Sequence, residues 1–391
     1  MKRSILFFLA IFILFCTTIT IANSIVSPWR AMKTVVKSGE GFSILYDNIH
    51  ASQIDEVFLK GPFNQVKLII DSVNIDYFEY DSFTHNAVNN KIWVTIPSDT
   101  PEELYDLYIK SEGETNISRK SVKVVKTDEQ PIRFIHISDT HVSRQWVGTS
   151  ENGYAKELEL LDRFIEVANI IDPEFLIVTG DIIHHYSRLD ADSLGWGGKK
   201  LYDADQRPLV EEKFKNYYDG ANGFRGIHGF DAPVFSLPGN HDSYGLSRED
   251  HVAMASQWNE MCGVRVYGFS YGNVRVLAAD DYLGDPVKDI PDSSPMSGLQ
   301  GKVFEEFFEK EGMGEVRIMA QHRPDRIDTS FLNKYKIDVL LNGHRHNPHY
   351  EYIGETPTLS IRPGAVCRSG EIRDWEEKLG FFRIFTIDRD K

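Results

Sequence analysis

The chain has 391 residues, of which 41% are hydrophobic and 26% charged, and its formal net charge is −15. This composition is that of a folded soluble protein, and the length exceeds what one compact core usually spans, so two domains are expected. The negative charge repels polyanions and argues against broad nucleic-acid binding, whereas a local cationic centre could still hold a small phosphorylated ligand.

The first segment has the features of a secretory signal. A basic start is followed by an unbroken apolar run over residues 5–15, and no further charge appears before Arg30. Small and polar residues follow the run, which is typical of export signals, with cleavage near Ala22. A membrane anchor through residues 4–22 is the alternative, because the uncharged stretch is close to the lower limit for spanning a bilayer. Residues 1–24 therefore predict a protein that is periplasmic, extracellular or membrane-anchored.

Short alternating strands follow over residues 25–128. The segments EVFLKG, QVKLII, KIWVTI, LYDLYIK and SVKVVK are bounded by glycine, proline, asparagine and aspartate. Strands of this length and spacing are typical of an antiparallel β-sandwich of the immunoglobulin type. The residues predicted to face its core include Ile92, Val94, Ile96, Tyr105, Leu107 and Ile109. A charged linker, KTDEQP, ends this all-β domain, which contains no catalytic constellation.

The pattern changes after residue 131, where strands alternate with helices. Strand segments are IRFIHIS, FLIVTG, PVFSLPG, VRVLAAD, VRIMAQ and IDVLLNG, and amphipathic segments such as YAKELELLDRFIEVANII lie between them. This alternation predicts an α/β domain over residues 129–391, with a core sheet covered on both faces. One helical face carries Leu158, Leu161, Ile165 and Ala168. Segment 186–232 is interpreted as an insertion with a helix near 209–219.

The predicted core strands end at residues that can bind metal. The strand ends carry Asp139, His141, Asp181, Asn240, His241, Asp242, His322, His344 and His346. Ligands of α/β sheets bind at the carboxyl ends of the strands, so these side chains are expected to converge. Carboxylate and amide oxygens mixed with imidazole nitrogens are metal ligands. In an extended chain, residues two apart point the same way, so Asp139 and His141 could reach one ion, as could His344 and His346.

The order D-x-H, G-D, G-N-H-D, H and G-H-x-H resembles that of the calcineurin-like metallophosphoesterases, over residues 131–350. The resemblance implies a layered β-sandwich core flanked by helices and a site with two divalent metal ions. It implies a first metal held by Asp139, His141 and His346, and a second held by Asn240, His322 and His344. Asp181 would bridge the two metals. His241 would face the substrate and either protonate the leaving oxygen or stabilise phosphoryl charge.

Two cations a few ångströms apart lower the pKa of a bridging water, supply hydroxide as the nucleophile and offset phosphoryl charge. We therefore predict a phosphoric ester hydrolase that cleaves monoesters or diesters of a small phosphorylated substrate. Histidine and oxygen ligands without cysteine allow manganese, iron or zinc. A phosphodiesterase of nucleotides or lipid headgroups is the alternative among enzymes. A catalytically inert scaffold or binding protein is the alternative from another class, although the complete ligand set and His241 argue against it.

Three further residues are candidates for substrate contacts. His184 lies three residues after Asp181. At this position the purple acid phosphatases, whose motifs are similar, have a tyrosine ligand, so an iron–tyrosinate site is not expected. Arg323 and Arg345 flank ligand histidines and could clamp phosphate. A structural histidine and solvent-facing ion pairs are the alternative interpretations. Asp242 is interpreted as a cap or turn residue. The sequence specifies neither the substrate nor the oligomeric state.

Overall fold

The computed structural model describes residues 24–48, 54–81, 86–126, 131–142, 155–183, 207–243, 248–281, 299–326, 328–355, 357–366 and 381–388. The predicted export signal or anchor and His184 lie outside these residues and stay predictions. Among the described residues, no helix is both long enough and apolar enough to span a membrane.

The N-terminal part is built from strands. They are β1 Ile25–Ser27, β2 Thr34–Lys37, β3 Gly41–Tyr46, β4 Ile54–Lys60, β5 Gln65–Lys67, β6 Ile69–Asn74, β7 Phe78–Asp81, β8 Asn86–Val88, β9 Asn90–Thr95, β10 Glu103–Ser111 and β11 Glu114–Val125. One sheet has the order β1-β3-β9-β6 and a second has the order β2-β11-β10-β4-β5, while β7 pairs with β8. The two larger sheets bury one common core, to which Ile44 and Ile92 contribute from the first and Val57 and Leu107 from the second.

The six side chains predicted to face this core are each 0% exposed, which confirms the alternation. The prediction of one strand over QVKLII is wrong, because the chain changes sheets at Leu68. Leu68 is buried and its backbone N–H donates to the Val57 carbonyl at 2.9 Å. It divides the segment into β5 and β6, which belong to different sheets. An immunoglobulin-type connectivity stays a prediction.

The C-terminal part combines strands and helices. Its strands are β12 Ile132–Ile137, β13 Phe175–Thr179, β14 Val234–Leu237, β15 Tyr267–Tyr271, β16 Val274–Ala278, β17 Val316–Ala320, β18 Val339–Leu341, β19 His349–Ile353, β20 Thr358–Arg362 and β21 Arg383–Ile387. Its helices are α1 Ala155–Ile171, α2 Arg207–Asp219, α3 Asn240–Ser243, α4 Arg248–Cys262, α5 Leu299–Glu311 and α6 Thr329–Tyr335, with a 3-10 helix at Ile227–Gly229.

These elements form four layers. The first sheet has the order β14-β13-β12-β21 and the second has the order β15-β16-β17-β18-β20-β19. Side chains such as Phe175 and Ile318 fill the space between the two sheets. Helices α1, α2 and α4 pack on the outer face of the first sheet, and α5 and α6 pack on that of the second. The single core sheet predicted from the alternation is therefore wrong, whereas the layered core implied by the resemblance is observed.

The N-terminal part also contributes to the core of the first sheet. Ala31 is 0% exposed and lies in the cluster that α4 forms with this sheet. Its N–H donates to the Cys262 carbonyl at 2.8 Å, and its carbonyl accepts from the Ser236 N–H of β14 at 2.8 Å. The outer edge of β14 is thereby covered by the segment of residues 29–33, the junction segment. The loop after β14 carries Asn240 and His241, so the junction segment supports the strand that leads to the site.

Tyr267→Phe is expected to weaken this junction. The Tyr267 hydroxyl lies within 2.9 Å of the Ala31 carbonyl and 2.8 Å of the Ser236 carbonyl, and the residue is buried. Its removal should lower the free energy of unfolding by about 1–2 kcal/mol, because buried acceptors lose a donor. Urea denaturation measures this change. Tyr350→Phe is the matched control, since Tyr350 is 70% exposed. Equal midpoints for the two variants would contradict the assigned role.

Candidate metal centre

The metal ligands predicted from the sequence lie at the carboxyl ends of strands from both sheets. Asp139 and His141 follow β12, Asp181 follows β13, Asn240 and His241 open α3 after β14, His322 follows β17, and His344 and His346 follow β18. Among these residues, Asp139, His141, Asp181, Asn240 and His322 are at most 1% exposed. A set of buried polar side chains at the meeting point of two sheets requires partners of opposite charge.

One group of ligand atoms comes from Asp139, His141, Asp181 and His346, and these atoms lie within 4.8 Å of one another. The Nε2 atoms of His141 and His346 are 3.0 Å apart. The Nε2 atom of His346 also lies 3.2 Å from the Asp139 Oδ1 atom. Two carboxylates and two imidazoles at these separations could hold one divalent cation.

A second group contains Asp181, His322 and His344, again within 4.8 Å. The His322 Nε2 atom is 3.1 Å from the Asp181 Oδ2 atom. Asn240 joins this group, because its Oδ1 atom lies 3.0 Å from the His322 Nε2 atom and 2.8 Å from the His344 Nδ1 atom. Asp181 therefore belongs to both groups.

The chemistry of these donors fits divalent cations. The Oδ2 atom of Asp181 is buried and accepts no hydrogen bond from the described residues, while Oδ1 accepts the His241 N–H at 2.7 Å. Leaving a buried carboxylate oxygen without a donor is costly, and a cation would remove that cost. The Nδ1–H of His322 donates to the Thr179 carbonyl at 2.7 Å, so a neutral ring directs the lone pair of Nε2 toward Asp181 and Asn240.

The electrostatic interactions within the two ligand groups also favour the binding of positive charge. Burial favours the neutral ring of His322, but the adjacent Asp181 carboxylate outweighs burial and raises the pKa of His322 to about 10. Burial, together with the charge of His322, lowers the pKa of His344 to about 4. Burial alone would raise the pKa of Asp139, but His346 and other neighbours lower it to about 2. The carboxylates are thus stabilised by nearby positive charge, which a divalent cation supplies more strongly than a protonated imidazole.

The backbone around the site adopts an uncommon conformation. Five site residues have positive φ: Asp139 57°, His141 47°, Asp181 51°, His344 72° and His346 55°. Each costs about 1–2 kcal/mol for a side chain with a Cβ atom, and such residues cluster at functional sites. The extended geometry predicted for the two ligand pairs is therefore wrong. Turns bring Asp139 and His141 together, and His344 and His346 enter different groups.

The loops after β13 and β14 approach each other closely at Gly239. A Cβ atom on Gly239 would lie 2.3 Å from the Asp181 N and Oδ1 atoms, so no other residue fits. Asp242 links the same two loops. It is buried, and its carboxylate accepts hydrogen bonds from the N–H groups of Ile182, Ile183 and Gly239 at 3.2, 3.0 and 2.8 Å. The interpretation of Asp242 as a cap or turn residue missed this role in holding the loop of Asp181.

His241 lies beside the ligand groups and reaches solvent. Its side chain is 11% exposed, and its Nε2 atom lies 3.9 Å from the Asp181 Oδ2 atom. Its ring meets that of His141 edge-on, with the centroids 4.7 Å apart. Its backbone N–H is fixed by Asp181, as described above. His241 is thus held beside the shared carboxylate with its ring reaching the surface.

The two arginine candidates lie beside the ligands. Arg323 follows His322 and forms an ion pair with Asp325, whose Oδ1 atom is 3.0 Å from the arginine Nε atom. Its backbone N–H donates to Asp281, a buried residue after β16 that the sequence analysis missed. Arg345 is exposed. The ion pair of Arg323 agrees with the alternative interpretation, while a substrate contact of either arginine stays a prediction.

The model of the calcineurin-like phosphoesterase family matches residues 132–348. One similar solved structure is a dimetal phosphatase from Danio rerio, with 14% identity, a TM-score of 0.40, and coverage of 66% of this chain and 94% of that chain. Another is a phosphopantetheinyl hydrolase from Mycobacterium tuberculosis, with 14% identity, a TM-score of 0.33, and coverage of 67% and 98%. A search of curated proteins found no match.

Proposed function

Since this chain belongs to the calcineurin-like phosphoesterase family, we propose that it hydrolyses phosphate esters with two divalent cations held by the two ligand groups. The observation that carries this proposal is the position of Asp181. It belongs to both groups, and its buried Oδ2 atom accepts no hydrogen bond from the described residues. A carboxylate shared in this way is suited to bridge two cations.

In this proposal, Asp139, His141 and His346 would hold the first cation, Asn240, His322 and His344 would hold the second, and Asp181 would contribute to both. When bound, such a pair activates water as the nucleophile and withdraws charge from the phosphoryl oxygens. Manganese, iron and zinc all suit nitrogen and oxygen donors. The backbone carbonyl of Thr179 sets the tautomer of His322, and the His241 N–H orients the carboxylate of Asp181.

His241 is the proposed proton donor. Hydrolysis leaves negative charge on the oxygen of the departing alcohol, and a histidine can protonate that oxygen near neutral pH. The backbone N–H of His241 is bonded to Asp181, so the ring is held at a fixed place relative to the proposed cations. The partial exposure of its side chain leaves the ring accessible to a substrate that enters from solvent.

A phosphate-release screen tests the proposed function. The full chain is purified, freed of metal, reconstituted separately with manganese, iron and zinc, and assayed on aryl monoesters, aryl diesters, nucleotides and lipid headgroups. We expect hydrolysis of at least one ester class and close to two metal ions per chain. Fewer than two bound ions together with no cleavage of any ester would support the inert scaffold instead.

Metal binding should stabilise the fold. A cation at 100 times its Kd stabilises a protein by about 2.7 kcal/mol, which corresponds to several degrees in Tm for a chain of this size. The stabilisation arises because the ligands come from both sheets and are brought together only in the folded chain, so the cation binds the folded state in preference to the unfolded one. Differential scanning fluorimetry of chelated and metal-loaded protein measures the shift. An identical Tm with and without metal would argue against the assigned ligands.

A further inference from the structure

A second cluster of charged side chains lies outside the two ligand groups, where the N-terminal part meets the helical layer of the first sheet. A small cavity there, with about 10 Å³ of free volume, is lined by Arg30, Lys33 and Lys120 from one side and by Tyr218, His228 and apolar residues from the other. Four of these five residues can carry positive charge. The cavity is thus cationic in a chain whose net charge is −15.

The ammonium group of Lys33 is buried without a neighbouring negative charge to compensate it. It is 2% exposed, and its Nζ atom donates to the Arg119 carbonyl at 3.3 Å. No carboxylate of the described residues lies within ion-pair distance of this Nζ atom. Burying an ammonium group without an anion costs several kcal/mol. Burial, with the repulsion of Arg30, accordingly lowers the pKa of Lys33 to about 7.

The neighbouring carboxylates are already engaged. Asp219 lies 3.3 Å from the Arg30 NH2 atom and 3.0 Å from the His228 Nδ1 atom. Asp231 lies 3.2 Å from the Lys120 Nζ atom. The Nε2 atom of His228 is buried and has no hydrogen-bond partner among the described residues. Among the described residues, Lys33 therefore lines the cavity without an anionic partner, and His228 lines it with an Nε2 atom that has no hydrogen-bond partner.

We propose that this junction cavity binds a small inorganic anion of the size of chloride beside Lys33. The anion supplies the negative charge that Lys33 lacks, and Arg30 and Lys120 add attraction from the same side of the cavity. The site lies between the two parts of the chain, so a bound anion strengthens their junction.

The charged groups around the cavity determine how binding depends on pH. They are Arg30, Lys33, Asp106 and Lys120 on the N-terminal part, and Asp219, His228 and Asp231 on the other. Burial lowers the pKa of His228 to about 4, so its ring stays neutral between pH 6 and pH 8, whereas Lys33, whose pKa is about 7, gains a proton as the pH falls. Anion binding takes up this proton and should therefore tighten from pH 8 to pH 6.

Anion-dependent stability of the full chain tests this proposal. Tm is measured at constant ionic strength while gluconate is replaced by chloride, phosphate or sulfate, which identifies the preferred anion. We expect a saturable rise in Tm that is larger at pH 6 than at pH 8, and that disappears in Lys33→Met. Lys67→Met is the matched control, because its side chain is 72% exposed on the N-terminal part. An unchanged anion response in Lys33→Met, or no saturable response to any anion, would overturn the proposal.

A second measurement serves if Lys33→Met does not fold. Crystals of the unsubstituted protein are soaked in bromide or selenate, whose anomalous scattering marks positions that chloride or sulfate would take. An anomalous peak within hydrogen-bond distance of the Lys33 Nζ atom supports the site. Its absence at saturating concentrations of both anions refutes it. Neither measurement depends on ester hydrolysis, so failure of this proposal and failure of the proposed function are distinguishable.

Discussion

Asp181→Asn should abolish ester hydrolysis and reduce the metal content to one ion or fewer per chain. The substitution removes the negative charge that both proposed cations would share, and it replaces the buried Oδ2 atom with either a neutral oxygen or an N–H₂ group. Electrostatic stabilisation by metal is worth several kcal/mol, so the loss in kcat should be on the order of 10³-fold or more. Elemental analysis and the phosphate-release assay measure both effects.

Asp172→Asn is the matched control for this variant. The substitution is chemically the same, but Asp172 lies at an exposed position after α1, and asparagine can adopt its φ of 54°. Its metal content and its rate should remain those of the unsubstituted protein. If Asp181→Asn retained two metal ions and full turnover, the shared carboxylate would not bridge cations, and the proposed mechanism would have to be abandoned.

His241→Ala should separate metal binding from catalysis. The ring of His241 belongs to neither ligand group, so both ions should stay bound. A general acid contributes about 10²–10⁴-fold to the rate, and this contribution is needed least when the leaving group is already a weak base. We expect a large loss with alkyl phosphates and a small loss with nitrophenyl phosphates. Rates across a series of leaving groups of known pKa measure the difference.

His349→Ala is the control for the loss of a histidine near the same loops, because the side chain of His349 is 49% exposed. It should change neither rate nor metal content. A uniform slowing of His241→Ala across all leaving groups would indicate that His241 binds phosphoryl charge instead of donating a proton. Loss of metal in His241→Ala would show that the residue supports the ligand loops structurally.

The sequence predicted which candidate ligands would come together better than it predicted the path of the chain between them. The residue types at the strand ends indicated which side chains would meet, because carboxyl ends of strands converge whether one sheet or two is present. The alternation of strands and helices could not show that β12–β14 and β16–β18 lie in different sheets. Both arrangements give the same local pattern of apolar residues.

Residues that act through long-range contacts were harder to predict. Asp242 and Asp281 are buried carboxylates whose partners are backbone N–H groups of distant loops, and those partners depend on the tertiary fold. The change of sheet at Leu68 was hidden for the same reason, since an apolar residue between two short strands looks like the interior of one longer strand. Lys33 gives no signal in the sequence, because its burial arises only at the meeting of the two parts.

The junction segment has a consequence for how this chain gains its stability. Ala31 packs in the apolar core beneath α1 and α4, although it belongs in sequence to the β-rich half. A cut at the predicted boundary near residue 128 would therefore remove a piece of the second half's interior and leave β14 with bare backbone groups. We therefore expect the two halves to unfold as one cooperative unit, and the β-rich half to be exchangeable in evolution only together with the surface of α4 and β14 that receives it.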